Sequence, residues 1–378
     1  MKLCVFPNDS IQAYFNKGEI KPRYFNPKNL FNEVHIISLT DTDIDENKVR
    51  EIVGDAQLKI HAVGKTTLKN YKSKLSEVIK VVREIRPDII RSYNPLLQGW
   101  FGIKSAKDLK IPFVVSIHNN YDKDAREFCL KNLQLLRYLK FAYTGKFIEP
   151  YVLSNASKII CAYRFLVPYV KRHGGKDVEV IYNRVYLSRF SPNITPQFKS
   201  EIPIIIYVAR LDDEKNQECL IRAVKDLNVK LVLVGDGPNY NKLQQLTKDL
   251  NITDRINFIR SVPNELLGKY YTSANIFASP IKQGGVSIPM LEAMACGVPV
   301  ISTSRGKNES EDVDDAIMFS NNTPNDFKNA IKQLIDNKEL REKMIKTGLE
   351  KVKIINGEVM EEKEATLYRN LLRNNRQT

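Results

Sequence analysis

The sequence predicts an α/β fold made of two open, parallel-sheet halves, and three observations predict it. Short β-branched apolar runs alternate with amphipathic helical stretches along the chain, the pattern imposed by parallel sheets covered with helices. That alternation lapses once, in the polar, Pro-containing stretch from Phe190 to about Ser200, and then begins again. At 378 residues the chain exceeds one ordinary α/β domain and suits two of about 180 each. The halves are placed at 1–195 and 200–357, with 358–378 as a terminal helix packing back on the first.

In the first half the strand candidates are Leu3–Phe6, Val34–Ser38, Ile89–Arg91, Phe113–Ile117, Lys158–Ala162 and Val178–Tyr182. A helical stretch, Leu75–Ile85, runs ahead of Arg86-Pro87-Asp88, and Lys17–Pro27 is expected to fold over a site. In the second half the strands are Ile204–Val208, Lys230–Val234, Ile256–Ile259, Ile276–Ala278 and Val298–Ser302. Helices are expected from about Gln217, from about Asn239, near Met290–Ala295 and over Glu361–Asn374. Two such sheets would place a ligand in the cleft between them, at the carboxyl ends of the strands.

Composition narrows the class. Hydrophobic residues make up 43% and charged residues 27% of the chain, enough apolar matter for two cores and too little polarity for disorder. The five cysteines stand singly in apolar stretches without a CxxC pair, which reads as buried, reduced thiols in a cytoplasmic protein. The apolar run at Met1–Pro7 is too short for a signal peptide, and no stretch approaches the roughly 20 apolar residues that span a bilayer. The net charge of +14 lies entirely in residues 1–200, which hold 33 basic and 19 acidic side chains. A one-sided basic half suggests an anionic partner. Segment Phe128–Tyr151 sets Leu133, Leu135, Leu136, Leu139 and Phe147 among Arg137, Lys140 and Lys146. Such a segment suits either an interfacial helix on anionic lipid or an amphipathic helix with its apolar face in the core.

The residues that carry chemistry concentrate in the second half. Arg210 closes a strand and Lys215 opens the next helix, two cations suited to a departing diphosphate, although a solvated pair looks the same in isolation. Val234-Gly235-Asp236-Gly237-Pro238 is a strand followed by a tight turn, structural or ligand-facing. In Gln283-Gly284-Gly285-Val286-Ser287-Ile288-Pro289 a Gly loop enters a helix, with Ser287 as N-cap, Pro289 in the first turn and Gly297 as the stop. The free amides of that helix start suit phosphate oxygens. Glu292, a turn inside, is placed either to accept from ribose hydroxyls or simply to face solvent. Asp212-Asp213 lacks a third clustered ligand and reads as a solvated turn, not a metal motif.

Taken in order, these pieces resemble the donor-binding half of the retaining GT-B glycosyltransferases of family four. The similar pieces are Arg210…Lys215-Asn216, Val234–Pro238, Ser273–Pro280 and Glu292-Ala293-Met294-Ala295-Cys296-Gly297-Val298-Pro299-Val300-Ile301. The first half is similar more loosely, through Ile111–His118, Val180–Val185 and Phe190-Ser191-Pro192. The resemblance implies two Rossmann-like domains facing a central cleft. It implies a hexosyltransferase that moves a sugar, with retention, from a nucleoside-diphosphate sugar (UDP-linked, as is common in such a family) in polysaccharide biosynthesis. Arg210 and Lys215 would hold the diphosphate, Glu292 the ribose, and the loop Gly284, Gly285, Val286, Ser287 and Ile288 the phosphate and sugar. His118 would face the donor sugar across the cleft, and Val262 would lie where the backbone meets the base.

Departures from the family pattern fall on the sugar and the first loop. Gly284 stands where a second Glu is usual, so Gln283 is left as its partial substitute. The usual Gly-Gly near the first strand is missing, and Asn16-Lys17-Gly18-Glu19 would fill that loop with Gly18 near the phosphates. Arg184 replaces a small residue after Asn183. With two cations at the leaving group, no metal and no cofactor is required. The acceptor is expected to be a glycan or a lipid-linked sugar, reached by peripheral contact with the inner membrane face. The other readings are a degenerate, non-catalytic binding subunit, a sugar-nucleotide epimerase and a phosphorylase. Nucleic acid is disfavoured, since the aromatics are scattered and form no stacking platform.

Overall fold

The computed structural model of the chain describes residues 1–131, 133–282, 285–304 and 310–375, the side chains of 123–125, 128 and 131 excepted. They gather into two units, Met1–Tyr182 with the segment from Met360 onward, and Asn183–Val359.

The first unit carries β1 (Lys2–Phe6), β2 (Glu33–Ser38), β3 (Gln57–Ala62), β4 (Ile89–Ser92), β5 (Phe113–Ile117), β6 (Lys158–Cys161) and β7 (Val178–Val180). They form one sheet in the order β3-β2-β1-β4-β5-β6-β7, parallel at every pairing. The second carries β8 (Ile204–Val208), β9 (Lys230–Val234), β10 (Ile256–Ile259), β11 (Ile276–Ser279), β12 (Val300–Thr303) and β13 (Ile317–Ser320). Their order is β10-β9-β8-β11-β12-β13, again all parallel. Both sheets are therefore Rossmann-like, as the alternation predicted. In each, strand order reverses beside the first strand, at β1/β4 and at β8/β11, the position where open α/β sheets bind their ligands.

The central strands bury both faces, which is why they read as continuous apolar runs: Ile204, Ile205 and Ile206 are at most 2% exposed. Two strands escape the sequence reading, β3 and β13, and both are edge strands. Gln57 and Lys59 of β3 and Phe319 of β13 face solvent, so the pattern there is mixed and short. Helix boundaries follow local chemistry. Pro324–Asp336 starts with the Thr323 hydroxyl accepting from the Asp326 amide at 3.2 Å and Pro324 in the first turn. It then buries Phe327, Ala330, Ile331 and Leu334 at helical spacing. Leu75–Ile85 stops on Arg86, held left-handed at φ 52° ahead of Pro87.

The terminal helix, Gly357–Asn375, crosses into the first unit at Met360. Fully buried Glu361 accepts from Arg23 Nη2 at 3.1 Å and from the Lys28 amide at 2.8 Å. Buried Glu364 pairs with Arg91 of β4. Two buried carboxylates matched by two guanidiniums fix this helix, where one lost partner would leave a buried charge unpaired. All five cysteines are buried and free.

Candidate functional site

In the second unit the segments past the carboxyl ends of β8, β9 and β11 carry the expected residues, and β13 adds one that was not expected. Arg210 stands two residues past β8 with its side chain 70% exposed and its Nε 3.8 Å from Asp212. Lys215 follows in the same loop, its Nζ 3.2 Å from Glu214. The loop is locked from three sides. Asp212 accepts from the Lys215 amide at 3.0 Å, and Asp213 accepts from Asn239 at 2.8 Å, so this acidic pair serves the turn. The Lys282 amide, past β11, donates to the Glu214 carbonyl at 2.9 Å. Asn322, past β13, donates to the Pro280 and Ile281 carbonyls at 3.1 Å and accepts from Asn216 at 2.8 Å. Sequence reasoning missed Asn322, a single Asn after an unrecognised edge strand.

Gly235 explains itself through this lock. A Cβ there would stand 2.1 Å from the Ala209 carbonyl, and its φ is +142°. A Cβ at Gly237 would meet the Leu211 carbonyl at 2.3 Å. The two loops run in contact, with Ala209 donating to Val234 and Leu211 to Asp236, each at 3.0 Å. Gly235 therefore sets where Arg210 stands; the space beside it holds protein backbone. Gly235→Ala is expected to destabilise the second unit by roughly 1–3 kcal/mol from backbone strain alone, read by denaturant unfolding.

Gly284 and Gln283 lie outside the described residues. Gly285, Val286 and Ser287 lead into the helix Ile288–Ala295. Ser287 occupies the N-cap position with extended backbone (φ −114°, ψ 158°), but its side chain makes no capping bond. The expected hydroxyl cap is therefore not made, and the Ser287 carbonyl accepts the ordinary first-turn bond from the Met290 amide at 3.1 Å. Pro289 sits in the first turn and Gly297 ends the helix at φ +73°, as the sequence implies. Glu292, 6% exposed, accepts from the Tyr271 hydroxyl at 2.8 Å. Tyr271 is fully buried, and burial together with the Glu292 charge holds its hydroxyl protonated, well above the usual range. The plainer expectation of a solvent-facing Glu292 does not hold. Val262 lies in the turn after β10, beside Arg260, whose guanidinium stacks 4.0 Å over Tyr240.

In the first unit His118 closes β5. Its ring stacks on Tyr93 at 5.9 Å and 10°, and its Nε2 is buried with no hydrogen-bond partner among the described residues. Burial, then the Arg91 charge, lowers its pKa to about 4, with Glu364 opposing. The unfolded imidazole binds its proton near 6.5 and the folded one only near 4, so His118 withdraws stability as pH falls through that window. Tyr24 stacks on Tyr93 at 5.5 Å, which brings the Lys17–Pro27 segment over the end of β4. Gly18 is misplaced by the sequence reading. The turn leaving β1 is 7–10, and Gly18 stands beyond the helix Ile11–Asn16, exposed and left-handed at φ +67°. A helix begins directly after that turn, with Ser10 as N-cap, so Asn16-Lys17-Gly18-Glu19 serves as its C-terminal stop.

Asp122, Glu149 and His173 also converge, with ligand atoms within 4.8 Å of one another. Arg126 donates to both carboxylates, to Glu149 at 2.8 Å, so the cluster is a charge-balanced brace under the basic segment.

Two parallel Rossmann-like sheets are the architecture of the GT-B fold, which solved glycosyltransferase structures share with this chain. Residues 29–189 match the model described as Glycosyltransferase Family 4, and residues 194–351 match Glycosyl transferases group 1. An uncharacterized glycosyltransferase of Methanocaldococcus jannaschii is 26% identical, over 84% of each chain. An alpha-monoglucosyldiacylglycerol synthase of Streptococcus pneumoniae is 25% identical over 71% of this chain and 63% of its own length. The structure of Anabaena HepE in complex with UDP superposes with a TM-score of 0.72 at 14% identity, covering 98% of this chain and all of that one. The chain belongs to the group 1 family of glycosyltransferases, enzymes of nucleotide-sugar-dependent transfer.

Proposed function

We propose that the chain moves a hexose, with retention at the anomeric carbon, from a UDP-linked donor to an acceptor at an anionic membrane surface, a lipid-linked sugar or cell-surface glycan precursor. The observation that carries the donor half is the locked β8 loop. It carries Arg210 and Lys215 on one braced loop at the strand-order reversal of the second sheet, in the unit that also holds the helix Ile288–Ala295 and buried Glu292. Fixed cations there favour the diphosphate as its charge develops, so departure needs neither a metal nor a cofactor. Glu292, held by Tyr271, accepts from the ribose hydroxyls, and the 285–288 backbone meets phosphate and sugar. His118 supplies a neutral imidazole to a hydroxyl of the transferred sugar. The acceptor oxygen enters on the face that the diphosphate leaves, so catalysis is positioning and electrostatics. UDP is favoured by the Anabaena complex, which was solved with it. A thermal-shift and calorimetric screen against UDP, GDP and ADP tests the donor: stabilisation by UDP alone, lost in Arg210→Ala, is expected. No binding by any of the three would favour the degenerate subunit.

The membrane half stands on the helix Leu135–Tyr143, which buries none of its residues. Leu133 and Leu136 are 92% and 85% exposed, and Leu135, Leu139 and Phe147 are also open to solvent. Arg137, Lys140 and Lys146 lie among them. Water-exposed leucines ringed by cations fit the interface of an anionic bilayer, and a relative named for a glucosylated diacylglycerol favours a lipid-borne acceptor. Because the leucines are exposed, charging them leaves the fold intact. Leu133→Glu and Leu136→Glu are each expected to weaken binding to phosphatidylglycerol vesicles about tenfold at unchanged thermal stability. Equal binding by both variants would exclude this face.

A further inference from the structure

The sequence reading gave no task to Arg91, a charged residue inside the buried strand Ile89-Ile90-Arg91-Ser92. It is 4% exposed, and its side chain meets Glu364, Tyr368, Ser116 and Tyr93, residues that the donor reading leaves unused. Its Nη1 donates to Glu364 and to Tyr368 of the terminal helix, and its Nη2 donates to Ser116 of β5 at 2.7 Å. The guanidinium lies 4.5 Å from the centre of the Tyr93 ring. That same ring carries His118 in a parallel stack, and Ser116 lies two residues before His118 on the same strand. Arg91 thus reaches His118 by two routes, through Tyr93 and along β5.

An ion pair buried this deeply is costly to keep for stability alone, since matched apolar groups would serve as well. Here its position gives it a further task. Resting on the assignment of His118 to the donor site, we propose that Arg91, clamped by Glu364 and Tyr368, is a positioning residue that holds the ring of His118 through Tyr93 and Ser116 and sets a guanidinium near it. The last helix of the chain then controls the group that meets the sugar. A neutral imidazole can donate or accept at Nε2 and so suits a sugar hydroxyl. A protonated one can only donate there, and would stand as a like charge beside Arg91. The groups facing His118 are Arg91 and Tyr93 from β4 and its end, Tyr24 from the 17–27 segment through its stack on Tyr93, and Glu364 and Tyr368 from the terminal helix. Of these Arg91 disfavours the imidazolium and Glu364 favours it.

The two members of the pair therefore act in opposite senses, and this separates a charge-setting role from simple bracing. Arg91→Met leaves the Glu364 carboxylate and is expected to raise the His118 titration midpoint by about one pH unit or more. Glu364→Gln leaves the guanidinium and is expected to lower it. The midpoint is read by NMR of histidine-labelled full-length chain, the His118 signal being identified by its loss in His118→Asn. The acid limb of kcat/KM should move in the same two directions, and Arg91→Lys should restore the wild-type midpoint.

If either single variant fails to fold, Arg91→Met/Glu364→Gln leaves no charge unpaired and carries the test. Its midpoint is expected to rise, since the Arg91 influence is the larger. Midpoints that stay put, or that shift the same way in both single variants, would overturn the proposal. Normal turnover by His118→Asn would instead overturn the donor-site assignment, and the NMR titration would still report whether Arg91 sets the charge.

Discussion

Arg210→Ala and Lys215→Ala are each expected to lower kcat by about 100- to 1,000-fold, the loss typical when one fixed donor to a developing negative charge is removed. Neither should change stability. Arg210 is largely exposed and its contact with Asp212 spans 3.8 Å, a surface pair of little energetic weight. Among the described residues Lys215 pairs with its neighbour Glu214. The loop that carries them is held by backbone and by Asp212, Asp213 and Asn322, none of which is altered in these variants. Steady-state rates, with a thermal melt as control, make the check. Near-normal turnover in both variants would remove the proposed leaving-group site.

Glu292 separates ligand binding from folding in a different way. Glu292→Ala would leave the Tyr271 hydroxyl buried without its acceptor, a loss of about 1–3 kcal/mol in stability. Glu292→Gln keeps a carbonyl for Tyr271 and removes only the charge, so the fold should hold. The bonds proposed to the ribose hydroxyls would lose their charge assistance, and kcat/KM for the donor is expected to fall about 10- to 100-fold, chiefly through KM. Donor titration by calorimetry on the folded Gln variant reads this directly. An unchanged donor affinity there would show that Glu292 serves Tyr271 alone.

Much of the second unit was legible because its chemistry is local. Arg210, Lys215 and Gly297 stand at or just past element ends, where capping, turn geometry and strand termination are written in neighbouring residues, and Glu292 lies one turn inside a helix whose start and stop are legible in the same way. Central strands were legible for the same reason, since burial on both faces leaves an uninterrupted apolar run. The edge strands Gln57–Ala62 and Ile317–Ser320 were not, because one face meets water and the pattern dissolves. Gly18 was misassigned because a glycine in a polar run shows that a left-handed turn is present without showing which helix end needs it.

The sequence by itself determined two parallel α/β halves, the family to which they belong, and the strand end, loop and helix that carry Arg210, Lys215 and Glu292. Only the tertiary structure decided what Gly235 is for, since the carbonyl of Ala209 that excludes a side chain there lies on another loop. It alone turned the leucines of Leu135–Tyr143 outward, because an amphipathic helix has the same sequence whether its apolar face meets a core or solvent. And it alone joined Arg91 to Glu364, 273 positions apart, and through Tyr93 to His118. Patterns of period two and period 3.6 record which way a side chain points; they do not record which distant residue it meets.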